Sequence, residues 1–482
     1  MRGDIGLRGA FARVARLPRS TGPVVSVEQR PLGGLFPPDV KPSWPRGSLT
    51  LAVLVTAGGF VVPVLRQVGA SALETIWAED GRVFLQSALS QGPLAAVSSI
   101  YAGYLHLVPR LVAEVAALLP LEQASEVITV AANGIAALCA LAVFVATRPH
   151  LRSRWIRALL AVSLVLVPTS GVEVLNNVAN VQWYLLIASF WLLLWRPPTA
   201  LGTLGASLLL VATALSAPLS LLLAPLALAR LAVTPRDRTA VPLWLFGSAL
   251  AVQLVAASSS LSQAGPPVRP ATMLLAYVQR VGAVAFLGQR IGGMLWVGTG
   301  WLWPLVATVG LAAVFVLGLT AGSRRTRGLV FVAGAYSLGF FLATTALRHN
   351  AEGMMWPQNV SHALGGRYTV VPLLLLYAMV AAFFDGRPRR AGDGMWRGLA
   401  GAVMLVFAVN VWVDFRTLNG RSGGPLWEEA LVGARSACSA EADATVSVPI
   451  TPPGWVVEVS CHELDAGVPL RDSQDDLRSD DA

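Results

Sequence analysis

Long apolar runs return along the chain from residue 51 to residue 413, parted by short polar joints. Eleven of them read as membrane-spanning helices: Leu51–Leu65, Val127–Thr147, Ala158–Thr169, Trp183–Trp195, Leu201–Leu215, Leu219–Val233, Pro242–Ala257, Trp301–Thr320, Leu329–Ala346, Val370–Phe384 and Leu399–Val413. A helix perpendicular to a bilayer needs about 20 apolar residues. Several runs are shorter, so their ends draw in polar neighbours or the bundle thins the membrane. Between the first two runs lies a stretch from Gln67 to Glu126 that is too apolar for a free linker. There His106, Arg110 and Glu114 recur every four residues, one polar stripe on a helix otherwise made of Leu, Val and Ala, as an interfacial helix requires. The pattern predicts an all-α polytopic membrane bundle of about eleven transmembrane helices, with interfacial helices in the first outer loop.

Composition agrees with this reading. The 482 residues are 55% hydrophobic and 13% charged with a mean hydropathy of +0.61, whereas soluble chains carry roughly a quarter charged residues. The net charge of +9 does not call for nucleic acid, because the basic residues, nearly all Arg, cluster at the ends of apolar runs and set orientation there. With the N-terminus inside, the joints "RPHLRSRWIR", "WRPP", "RLAVTPRDR", "SRRTR" and "DGRPRRAGDGMWR" fall on one side and carry 15 basic residues, against about eight in the other loops. The segments around Glu79, Asn177, Arg280 and Arg367 and the tail from Asp414 onward then face outward, in a multi-pass protein of the cell membrane with an extracytoplasmic C-terminus.

Three units follow. Residues 1–48, with eight basic and three acidic residues and no apolar run, read as a disordered basic cytoplasmic arm, with the first run an uncleaved anchor. Residues 49–414 form the bundle. Residues 415–482 form a small extracytoplasmic tail, where alternating Val residues around Thr-Pro-Pro-Gly suggest a hairpin. Cys438 and Cys461 both lie in this tail, and a disulfide between them would pin the hairpin in an oxidising compartment. Heavy use of Ala, Gly, Pro and Arg points to a high-GC bacterium.

Candidate chemistry gathers in the outward segments. Glu79 and Asp80 stand side by side after the first run, among Trp77 and Phe84, with Gly81 allowing a sharp turn. A carboxylate raised toward neutrality by partial burial and by a like charge can act as a general base. Arg110 either pairs with Glu114 along the helix or, with His106, faces a substrate phosphate. In "GVEVLNNVANVQWY" residues Glu173, Asn176, Asn177 and Asn180 would share one helical face, and with Gln182 and Trp183 they offer amides and an aromatic platform to a sugar. Arg367, in Gly365-Gly366-Arg367-Tyr368, sits at an outer helix end against the charge rule, which suits an anionic ligand held by its planar fork; Tyr368 would touch the same substrate. Arg269, Arg280 and Arg290 read as a collar meeting phospholipid headgroups or as a second phosphate contact. His349 and His362 lack partners at metal spacing, so zinc is not expected, and no nucleotide-binding loop or hydrolase elbow is present.

The inside N-terminus, the acidic pair in a long first outer loop and the many further spans resemble the polytopic glycosyltransferases of the C-type superfamily. The resemblance covers Leu51 to Asp414, and "NVANVQW" and "GGRY" look like motifs of uncharacterised actinobacterial members. It implies transfer of a hexose or pentose from a polyprenyl-phosphate donor to a cell-envelope glycan, lipid or protein acceptor. In that chemistry Asp80 is the base with Glu79 its partner, or Glu79 is itself the base; Arg367, with Arg110 second, holds the phosphate. No cofactor is required, although a divalent cation bridging Glu79 and phosphate would be compatible. A carrier or flippase of lipid-linked sugar, needing the same Arg and amides but no base, is the alternative. A structural partner in envelope assembly would need no pocket.

Overall fold

The computed structural model describes residues 34–37, 46–234, 237–258, 268–348, 351–356, 365–387, 394–438 and 444–466. Most of the expected basic arm, the two histidines His349 and His362 and the acidic end of the tail lie outside them.

The chain is an all-α polytopic membrane protein. Among the described residues, eight helices are long and apolar enough to cross a membrane: Arg46–Arg66, Leu121–Ala146, Arg238–Ala257, Pro270–Leu287, Leu302–Ala321, Arg324–Arg348, Arg367–Asp385 and Gly394–Val413. Shorter apolar helices span Gln182–Leu194, Ala200–Ala214 and Pro218–Val233. Their outer surfaces carry exposed Val53, Leu54, Leu208, Val309 and Leu405, an arrangement that suits hydrocarbon and not water. Gly394–Val413 shows the inversion most fully, since its buried residue is the polar Asn410, which donates to the Phe286 carbonyl.

Two helices depart from the sequence expectation. The run Ala158–Thr169 becomes Arg154–Leu166, because Val167 precedes Pro168 and is pushed to extended backbone. Pro270–Leu287 was not expected among the long apolar helices; Gln279 and Arg280 interrupt its apolar pattern, and both are buried inside the bundle instead of facing solvent. The arm is likewise not featureless throughout, for Leu35 and Phe36 are buried, with Leu35 against Gly328 of the Arg324–Arg348 helix.

One end of the bundle gathers arginine-rich joints. Arg325 donates to the Pro149 carbonyl at 2.8 Å, Arg238 to Pro198 at 2.6 Å and Arg196 to Val233 at 3.1 Å. Asp385 accepts the backbone N–H groups of Arg152 and Ser153. These bonds tie the joints to one another: the Val233 carbonyl is a helix-terminal acceptor that an isolated helix leaves open, and Asp385 takes the N–H groups just before the Arg154–Leu166 helix.

At the opposite end the tail folds over the bundle. Strands Thr445–Ile450 and Trp455–Ser460 pair antiparallel, with Val448 opposite Val457, and Cys438–Cys461 ties the helix Trp427–Ala437 to the hairpin with a Cα–Cα distance of 5.4 Å. Thr451 donates its N–H to the Ile76 carbonyl at 3.0 Å and accepts from Ala78 N–H. The hairpin thus lies against Asp80–Leu85, where a Cβ on Gly81 would sit 2.6 Å from Ile450 and 2.8 Å from Val457. Gly81 serves close packing rather than the sharp turn expected of it: it lies in a continuous π-helical stretch.

Two buried arginines fasten this end. Arg66 donates to the carbonyls of Val165, Val167, Asp414 and Phe415 and to the Ser170 hydroxyl. Arg421 donates to the carbonyls of Ala72, Thr75 and Asn176 and to the Thr75 hydroxyl. Removing either leaves buried carbonyls without donors. Arg421→Met is expected to cost about 3–5 kcal/mol, read as a lowered unfolding temperature of the detergent-solubilised protein; an unchanged transition would mean that the tail is held by the hairpin contacts alone.

Candidate functional site

The acidic pair divides into two unlike carboxylates. Asp80 has 0% exposure. Its Oδ1 accepts from Ala179 N–H at 2.8 Å and its Oδ2 from Val178 N–H at 3.1 Å. Burial pushes its carboxyl up to about 7, while the two N–H groups and Arg421 pull the other way. Both oxygens are thereby committed to the backbone of the second segment. Glu79, one residue earlier, is half-buried and makes no hydrogen bond among the described residues. It acts electrostatically on Tyr101, Glu173 and Arg367.

The asparagines do not share a helical face. The helix Ser170–Glu173 ends at once, and Asn176 takes φ +61°, a left-handed conformation that Asn tolerates better than most residues. Its side chain donates to the Pro63 carbonyl at 2.9 Å and accepts from Asn133 at 3.1 Å. Asn177 donates to the carbonyls of Glu173 and Leu175 and accepts both N–H groups of Asn180. Asn180 in turn donates to the Glu173 carbonyl and accepts from the Trp183 indole at 3.1 Å. These amides shape the turn and offer no free face to a ligand. Trp183 is buried too, packed edge-on against Tyr368 at 5.8 Å, so it is not an open platform.

What surrounds Glu79 is a mixed cluster. Glu173 and Arg367 form an ion pair at 3.9 Å, with side-chain exposures of 18% and 31%. Arg367 also donates to the Tyr368 hydroxyl at 3.3 Å and lies 5.2 Å over its ring. Burial raises the Glu173 carboxyl and Arg367 lowers it. Arg82, Arg348 and Arg367 lie within electrostatic reach of Tyr101, and Gln182 reaches the Tyr104 hydroxyl. Glu79, Arg82, Arg348 and Arg367 thus lie within electrostatic range of Tyr101, and the direct contacts are Glu173 with Arg367, Arg367 with Tyr368 and Gln182 with Tyr104. Arg348 was not singled out in the sequence, where it reads as one more helix-end arginine; Arg421 was missed because nothing in "NGRSGG" marks a buried residue.

The stripe His106, Arg110 and Glu114 faces inward, not to the polar side of an interface. All three are buried, while Leu111 and Val115 on the same helix are 47% and 53% exposed. Arg110 donates to the Ala96 carbonyl at 2.8 Å and lies 5.5 Å over Phe84, which assigns it to holding the preceding short helix. His106 stacks on Tyr104 at 4.0 Å, and burial pushes its imidazole down to about 3. It is therefore a neutral ring that aligns the tyrosine. No three His, Cys, Asp or Glu side chains among the described residues come together as a metal site.

No family model matches the sequence, and no curated protein does. Among solved structures, the oligosaccharyltransferase of Archaeoglobus fulgidus in its apo form is similar at a TM-score of 0.39 and 12% identity, covering 82% of this chain and 58% of that one. The same archaeal protein in complex with Zn and sulfate gives 0.38 and 13%, over 81% and 56%. The chain spans less than three fifths of that protein's length, and a likeness at this level assigns neither fold nor chemistry.

The Asp80 clamp carries a pH signature. Because the folded-state value lies near 7, above the unfolded 3.8, the Asp80 contribution to stability is complete below about pH 4 and is lost as pH rises through about 7. Asp80→Asn removes this dependence and turns an amide NH₂ toward a backbone N–H, costing about 1–3 kcal/mol. Thermal unfolding followed from pH 4 to pH 8 checks both, and a variant that tracks the wild type throughout would remove Asp80 from the clamp.

Proposed function

We propose that this protein is a membrane glycosyltransferase that moves a hexose or pentose from a polyprenyl-phosphate donor to a cell-envelope glycan, lipid or protein acceptor. One observation carries the reading: a half-buried carboxylate, Glu79, stands beside an arginine-rich, tyrosine-lined cluster at one end of a lipid-facing bundle. The arginine-rich joints gather at the other end, which supports reading the Glu79 end as the outer face under the rule that basic loops stay inside.

In this reading Glu79, not Asp80, is the base. Glu79 takes the proton of the acceptor hydroxyl, and the oxygen attacks the anomeric carbon. The bond from that carbon to the donor phosphate oxygen breaks, and the polyprenyl phosphate leaves with the electron pair. Arg367, with Arg348 near it, stabilises the charge that develops on the departing phosphate. Glu173 holds Arg367 in place, so the guanidinium needs little reorganisation during the step. Gln182, Tyr101, Tyr104 and Tyr368 frame the sugar. Asn176, Asn177, Asn180 and Trp183 act one layer behind, through the turn that Asp80 grips; His106 sets the Tyr104 ring, and Arg110 sets the first loop.

A carrier of lipid-linked sugar would use the arginines without a base. Sugar transfer from a labelled polyprenyl-phosphate donor in membranes, measured beside donor binding, separates the two. Glu79→Gln is expected to lower turnover about 10²–10⁴-fold with donor binding kept. Arg367→Gln is expected to lower it about 10²–10³-fold and to weaken donor binding as well. Turnover within twofold of wild type in Glu79→Gln would remove Glu79 as the base, whereas wild type that binds the donor without transferring the sugar would end the transferase reading and leave the carrier.

A further inference from the structure

Pro270–Leu287 carries a second buried arginine environment unlike the others. Its backbone widens into a π-helical turn at Val278–Ala283, and Arg280 on that turn has no exposure. Among the described residues, Nε, Nη1 and Nη2 of Arg280 all lack a hydrogen-bond partner, as does the indole Nε1 of Trp356. The guanidinium lies 5.7 Å over the Trp356 ring.

The backbone of Trp356 is held in place. Gln279 accepts Trp356 N–H at 2.6 Å and donates to its carbonyl at 3.4 Å. Gly292 leaves room for the indole, since a Cβ there would sit 2.8 Å from it. The contrast with the other buried arginines is direct. Arg66 and Arg421 direct their nitrogens at carbonyls, and Arg230 donates to Leu192 at 2.7 Å. A guanidinium keeps its charge at any physiological pH, and burying one without an acceptor is among the costliest arrangements in a fold.

We infer that Arg280 and the Trp356 indole N–H form a binding site for a lipid-borne phosphate. The donors are five guanidinium N–H groups and one indole N–H with no acceptor among the described residues, which is the complement of a phosphate's oxygens. The same helix exposes Leu274 and Leu275, so an anion meeting it in a bilayer is one carried on a lipid. The phosphate belongs either to a polyprenyl phosphate or to the headgroup of a bulk phospholipid. The donors differ from Arg367, and one short segment links the two: Trp356 has Arg280 against its ring, and Met354, two residues earlier, packs under Gly365 at the head of the Arg367 helix. The inference does not rest on the transferase reading, since a carrier would need the site equally.

The test is lipid binding by the full chain in detergent micelles, not turnover. Radiolabelled polyprenyl phosphate is compared with the matching polyprenol, and phosphatidylglycerol with diacylglycerol, for wild type, Arg280→Gln, Arg280→Lys and Trp356→Phe. Wild type is expected to prefer the phosphate-bearing member of at least one pair tenfold or more. Arg280→Gln should abolish that preference, Arg280→Lys should keep part of it, and Trp356→Phe should reduce it several-fold. Loss in the polyprenyl pair identifies a polyprenyl phosphate, and loss in the diacyl pair identifies a bilayer headgroup. A preference that survives Arg280→Gln in both pairs overturns the site. If that variant does not survive purification, wild type showing no preference, or Trp356→Phe and Arg280→Lys both matching wild type, overturns it.

Discussion

A single turn, Asn176 to Ala179, is gripped from two sides by opposite charges. Asp80 accepts the N–H groups of Val178 and Ala179, and Arg421 donates to the Asn176 carbonyl. Neither charge would be stable alone at that depth. Together they satisfy a backbone that has left helical geometry, with Asn176 at positive φ, and they join three parts of the chain far apart in sequence: the first loop, the second segment and the tail. The cost of burying each ion is offset only in part by neighbours that are fixed dipoles already pointing the right way.

This clamp explains why a hydrophobic chain keeps two adjacent acids. On the π-helical start at Asp80, one residue of the pair turns into the protein and the next position back remains at the rim. Asp80 fixes the backbone from which Glu79 projects, and the tail hairpin bonded to Ile76 and Ala78 fixes it from the other side. The Glu173–Arg367 pair then meets Glu79 from two further segments. Glu173 precedes the clamped turn directly, so the position of the ion pair depends on the same grip.

The helical bundle was largely legible in the sequence, because apolar length is a direct consequence of needing to satisfy every backbone group inside hydrocarbon. The runs around Leu51, Val127, Leu329 and Val370 all appear as long helices, and the alternating arginine joints gather at one end. The direction in which polar side chains point was not legible. A stripe such as His106, Arg110 and Glu114 has the same spacing whether it faces water or the bundle interior, and only the neighbouring helices decide. The asparagines of "NNVAN" have a helical period, but their side chains compete for backbone partners and end the helix instead. Likewise Glu79 and Asp80 are chemically near-equivalent as letters; which one stays accessible depends on N–H groups about a hundred residues away.

In a bundle whose outer surface is apolar, interior polar groups that are fully bonded describe the scaffold, and those that are not describe what the scaffold is for. Asp80, Asn177, Asn180, Arg66 and Arg421 belong to the first kind. Glu79 and Arg280 are the groups that the proposed transfer and the proposed phosphate site use, and each lies at or beside a π-helical stretch. A widened turn shifts the side-chain register by a fraction of a residue, which lets a polar group sit where a regular helix would have placed a packing residue. Such a distortion weakens the local backbone ladder and contributes nothing to crossing a membrane. Its presence at both positions is therefore better explained by the group it aims than by the helix it interrupts.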